Sequence, residues 1–180
     1  MQRRIICLLL LLFAAGSFAA RLHAQDSDAD PLTEDEVQQI RDNKTNPNER
    51  IKLYMKFIDQ RLDAIKQLAG PGKSRNEKDQ IHDKLDEFTH LCDELQDNLD
   101  TYDEAHADIR KSLKELVADS AKWPQELNAA GSDPNYDFSR KTAMEAAHAA
   151  ADEAHQMSIE QDVYFDVNKK ARGTNGNGPS

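Results

Sequence analysis

At 180 residues the chain has room for one domain, and its 33 acidic against 23 basic side chains give a formal charge of −10. A balance this acidic is expected to be repelled by nucleic acid and anionic lipid, so neither is an expected partner. Polycations and metal ions remain admissible.

Read from the N-terminus, Met1 to Arg4 carries two arginines, Ile5 to Ala15 is an unbroken apolar run, and the small residues Gly16, Ser17, Ala19 and Ala20 follow. That is the plan of a secretory signal peptide over residues 1–24, with cleavage after Ala24 or after Ala19. Eleven apolar residues fall short of the ~20 that span a bilayer, so no stable membrane insertion is expected once the signal is removed. The expected destination is the periplasm or the extracellular space. Loss of residues 1–24 takes away Arg3, Arg4 and Arg21, leaving 20 basic against 33 acidic side chains, a charge of −13. Cys7 leaves with them, so Cys92 is the lone thiol, no intramolecular disulfide can form, and a buried, inert Cys92 is expected.

Residues 25–32 are polar and acidic and read as a disordered leader. Thr33 and Glu36 then form a capping box, with Leu32 and Val37 at the staple positions, predicting a short helix from Glu34 to about Asp42. With only Val37 and Ile40 to bury, it must brace against something larger. Asn46-Pro47-Asn48-Glu49 restarts the helix with a cap residue, a proline at the first position and an acid at the third. From there Ile51, Met55, Ile58, Leu62, Ile65 and Ala69 step by four and three, broadened by Leu53, Tyr54, Phe57 and Leu68. The spacing predicts a helix from Pro47 to Ala69 that touches more than one neighbour. Gly70-Pro71-Gly72 ends it.

Ser74 and Glu77 make a second capping box. Behind it Ile81, Leu85, Phe88, Cys92, Leu95, Leu99 and Tyr102 keep a seven-residue beat that resumes in phase at Ile109, Leu113, Leu116, Trp123 and Leu127. His106 and Ser120 are the polar members of that register. The continuous phase predicts one rod from about Arg75 to Lys122, roughly 70 Å long at 1.5 Å per residue. Thr101 and Glu104 offer a capping box that would break the rod near Tyr102, but no Gly or Pro supports the break. Trp123-Pro124 predicts a kink or restart before Gly131. After turn chemistry at Ser132 to Asp137, a last helix from about Phe138 to Val167 carries a seam of Ala143, Ala147, Ala150, Ala154, Met157, Gln161 and Tyr164, small enough for close packing. Residues 171–180 are a glycine-rich flexible tail.

The expected fold is all-α: an antiparallel helical bundle over residues 33–170, built on one long heptad-patterned helix, with three long helices and a short N-terminal one. Two units, Glu145-x-x-His148 and Asp152-x-x-His155, have the acid and imidazole spacing that di-metal bundles use. Here both lie on one helix, about 10 Å apart along its axis, and beside the seam, where a solvated acidic face is the plainer reading. His106 stands in the seam, with Asp103 and Arg110 one turn away, as a register-setting polar residue. A carboxylate facing it from another helix would complete a metal site. A metal-binding or metal-buffering bundle using His106, Glu145, His148, Asp152 and His155 is therefore the alternative expectation. No phosphate loop, His-Glu-x-x-His helix or G-x-S-x-G elbow occurs, so no catalytic residue and no cofactor is expected. The leading expectation is an exported non-catalytic interaction or scaffold module of the cell envelope. Its partner, another protein or a second copy, would lie along the stretch of rod seam left uncovered by shorter neighbours.

Overall fold

A computed structural model describes residues 30–168, and every regular element among them is helical. The expected signal peptide (residues 1–24), most of the leader and the tail (171–180) lie outside the described residues. In chain order the elements are α1 (Glu34–Asp42), α2 (Pro47–Leu68), α3 (Arg75–Glu104), α4 (Arg110–Ser120), α5 (Trp123–Leu127), a 3-10 turn (Asn128–Ala130) and α6 (Asp137–Val167).

The first three helices begin where the capping chemistry lies. Glu36 accepts the Thr33 N–H at 2.8 Å while the Thr33 hydroxyl accepts the Glu36 N–H at 3.3 Å, and Ser74 with Glu77 repeats the arrangement at the head of α3. Asn46 accepts the Glu49 N–H, with Pro47 in the first turn of α2.

The expected rod from Arg75 to Lys122 is not formed. α3 ends at Glu104, residues 105–109 turn the chain, and α4 with α5 runs back antiparallel to α3. Side-chain pairs fix these directions. Tyr54 meets Glu94 and Arg61 meets Glu87, so α2 and α3 are antiparallel. Asn48 meets Ser112, Asp59 meets Trp123 and Lys66 meets Glu126, so α4 and α5 run along α2 in the same direction. Lys78 meets Asp133 and Gln96 meets Glu153, which sets α6 parallel to α3. The result is an up-down-up-down four-helix bundle in which α2 and α6 each pack against both α3 and the α4–α5 pair.

The turn itself explains why the beat misled. The Ala107 N–H donates to the Tyr102 carbonyl and the His106 N–H to the Asp103 carbonyl, both at 2.9 Å, while His106 adopts φ 51°. This is a Schellman stop, a position commonly held by glycine; histidine enters the left-handed region more readily than most side chains. Apolar residues on either side of a reversal must face the same core, so the seam keeps its phase although the helix does not continue. The Thr101-Glu104 box is not used: Thr101 donates its hydroxyl to the Asp97 carbonyl inside α3.

Folding the expected rod in two also covers its seam. Ile81, Leu85, Phe88, Cys92, Leu95 and Leu99 of α3, with Ile109, Leu113, Leu116, Trp123 and Leu127, are fully or almost fully buried, and Phe88 meets Trp123 edge to face at 6.0 Å. No stretch of that seam is left uncovered for a partner. Along α6 the alanines 143, 147, 150 and 154 are buried as expected, followed by Met157 and Gln161, but the next buried residue is Phe165, with Tyr164 half-buried beside it. Cys92 lies in the core, and burial, with a smaller contribution from Asp93, pushes its thiol far above the ordinary range.

α1 braces the bundle through Arg61, which is 7% exposed. The guanidinium makes two bonds to Glu36, at 2.5 and 2.8 Å, one to the Pro31 carbonyl at 2.6 Å and one to Glu87 at 2.8 Å. Glu36 thus closes the cap of α1 and ties that helix to α2.

Candidate functional site

The outer face of α6 is where the bundle departs from the rule that solvated helix faces are polar. Ile159, Val163 and Val167 are 50%, 61% and 78% exposed. Spaced four apart, they form one stripe about 12 Å long. Gln161 and Phe165 turn the opposite side of the same segment into the core, so the stripe faces away from the bundle formed by the described residues. Valine and isoleucine are no better than average helix formers and gain nothing in water, so packing within this fold does not account for them.

Acid borders the stripe. Helical geometry sets Glu160 on one flank and Asp162 and Asp166 on the other. Residues 142–168 hold six acidic side chains, Glu145, Asp152, Glu153, Glu160, Asp162 and Asp166, and no lysine or arginine. Beneath the Asp162 flank, Arg110 bonds Asp108 at 2.8 Å, approaches Asp162 at 4.0 Å and lies over the Phe165 ring at 4.6 Å.

The residues singled out for metal chemistry do not converge. Glu145, His148, Asp152 and His155 are all exposed along the outer side of α6. His106, expected in a buried seam, is exposed at the α3–α4 turn, where its ring stacks on Tyr164 with centroids 4.6 Å apart. Arg110, expected beside His106, pairs with Asp108. Among the described residues no group of three or more His, Cys, Asp or Glu is placed to hold a metal ion.

At the opposite end of the bundle a cleft of about 430 Å³ is lined by Gly70, Gly72, Lys73, Lys78, Asp133 and Tyr136, among others. Its polar groups are engaged with one another. Lys73 donates to the Tyr136 hydroxyl at 2.8 Å and to the Ala130 carbonyl at 3.0 Å, Tyr136 donates to that same carbonyl, and Lys78 pairs with Asp133 at 2.8 Å. Lys78 and the Asn135 amides hold the Asp133 carboxyl at about 2. The cleft is a clamp between two loops.

Ile159, Val163 and Val167 are spaced four apart in the sequence, but their exposure depends on which neighbours pack against α6. Gln161 was placed in the seam by its register, but its partners, like those of Arg61, lie more than twenty residues away and left no signal of their own.

No family model matches the chain, and no curated protein and no solved structure matches it either. The class defined by the fold is an all-α, up-down-up-down four-helix bundle with an N-terminal brace. Among the described residues no helix is long and apolar enough to cross a membrane.

Proposed function

We propose that this protein is an exported, non-catalytic interaction or scaffold module of the cell envelope that works through the outer face of α6. The reading rests on the Ile159-Val163-Val167 stripe: three neighbouring aliphatic side chains, each at least half exposed, on a bundle whose other seams are covered. Export is inferred from the signal-like residues 1–24. A scaffold role also suits a chain whose polar clusters at Arg61, Lys73 and Gln161 are spent on holding helices and turns together.

Photocrosslinking in producing cells tests it. A photoreactive residue at Val163 should yield a protein adduct in the envelope fraction, whereas the same residue at exposed Lys114 on α4 should not. Retention of the protein in the cytoplasm, or identical adduct patterns from both positions, would refute the proposal.

A further inference from the structure

We infer that the occupant of the α6 face is a basic-edged amphipathic helix of another protein, an inference that rests on the interaction reading above. Such a segment would lay an apolar strip along Ile159, Val163 and Val167 and set lysines or arginines against Glu160 on one flank and Asp162 and Asp166 on the other. Helix-on-helix docking of this kind reads anchors spaced three and four apart, which is the spacing the stripe presents.

Two observations select this occupant over a second copy. Size is the first: three side chains over about 12 Å match two or three turns of a partner helix, whereas a stable dimer needs roughly 1,000 Å² or more of buried surface. Charge is the second. A second copy related by a twofold axis through the stripe would bring Glu160, Asp162 and Asp166 against the same three carboxylates, and Arg110, 4.0 Å from Asp162, offsets only part of that charge. Like charges facing each other across an interface oppose pairing, while a cationic edge turns the same border into attraction. A surface this small with electrostatic edges should bind weakly, quickly and in a salt-sensitive way.

The test uses the purified exported protein and two synthetic helical peptides of about five turns, identical in a leucine strip and differing only in having lysine or glutamate along both edges. Fluorescence anisotropy should show the lysine-edged peptide binding at low salt and weakening at about 0.3 M salt. Val163→Asp, at an exposed position, should reduce that binding at least tenfold even though it adds negative charge; attraction of any cation to an acidic protein would be unchanged or strengthened. Glu160→Lys with Asp162→Lys should shift preference toward the glutamate-edged peptide. Equal binding of both peptides, or binding indifferent to Val163→Asp, overturns the assigned partner chemistry while leaving the photocrosslinking test of the module intact. A dimer in light scattering that Val163→Asp abolishes would make a second copy the occupant and likewise overturn it.

Discussion

Gln161 of α6 closes the turn between α3 and α4: its side-chain oxygen accepts the Ile109 N–H at 3.2 Å and its amide nitrogen donates to the Ala107 carbonyl at 3.0 Å. α4 has no side-chain cap of its own at Ile109, so a residue more than fifty positions away supplies one. Gln161 is 2% exposed, and removing its amide strands the buried Ile109 N–H and takes one partner from the part-buried Ala107 carbonyl. Gln161→Leu, which roughly keeps the volume, should cost about 1–3 kcal/mol at the usual penalty for one unsatisfied buried group. Urea denaturation measures it, and a loss below about 0.5 kcal/mol would show that the amide does not close the turn.

His106 provides a test in which the sign alone decides. At a left-handed position glycine is favoured over alanine by about 1 kcal/mol or more, whereas in the interior of a continuous helix alanine is favoured by about the same amount. Since His106 has φ 51°, His106→Gly should melt higher than His106→Ala. Both variants lose the stack on Tyr164, so that contact cancels in the comparison. The reverse order would restore the uninterrupted rod from Arg75 to Lys122.

These two residues also mark where the sequence stopped being legible. Capping boxes at Thr33 and Ser74 and the Asn46-Pro47 start placed the first three helices because their signals are local, and the seam residues named from periodicity are largely those buried. The reversal at residues 105–109 left no such mark. Its left-handed residue is a histidine in place of glycine, and its backbone is satisfied by Gln161 from a distant helix. The α6 face was obscured for a different reason: exposure is a property of the assembled bundle, and a stripe of three aliphatic residues reads as core until the neighbours are in place.

The Arg61 cluster makes the docking of α1 dependent on pH. Burial pushes the Glu36 carboxyl up, but the Arg61 hydrogen bond, the Thr33 N–H and the Arg61 charge together outweigh it, leaving the group below its ordinary value of 4.5. A carboxyl depressed in the folded state contributes stability above its unfolded value and loses that contribution as pH falls through the folded one. Acid should therefore loosen α1, seen as faster amide hydrogen exchange across residues 34–42 before the four-helix core opens. Arg61→Leu strands the buried Glu36 carboxylate, while Glu87 keeps Lys84, and should cost about 3–5 kcal/mol at neutral pH. Exchange in α1 that stays coupled to global unfolding at every pH would contradict this account.

Glu153 carries the opposite sign. Burial against α3 raises its carboxyl above the ordinary 4.5, Asp100 and Asp97 push the same way, and the Gln96 amide only partly opposes them. One of its oxygens accepts from Gln96 and the other is buried without a hydrogen-bond partner. Between its unfolded and folded values the native state binds more protons than the unfolded chain, so stability falls as pH rises through that window and stays lower above it. Glu153→Gln keeps the shape and the bond from Gln96 while removing the charge. Its melting temperature should exceed that of the parent at neutral pH, and the gap should close as pH falls below the carboxylate range. Calorimetry of the two proteins across pH decides it: a variant that melts lower at neutral pH would mean the Glu153 charge is stabilising where it stands, and that α3 and α6 are held together in part by that carboxylate.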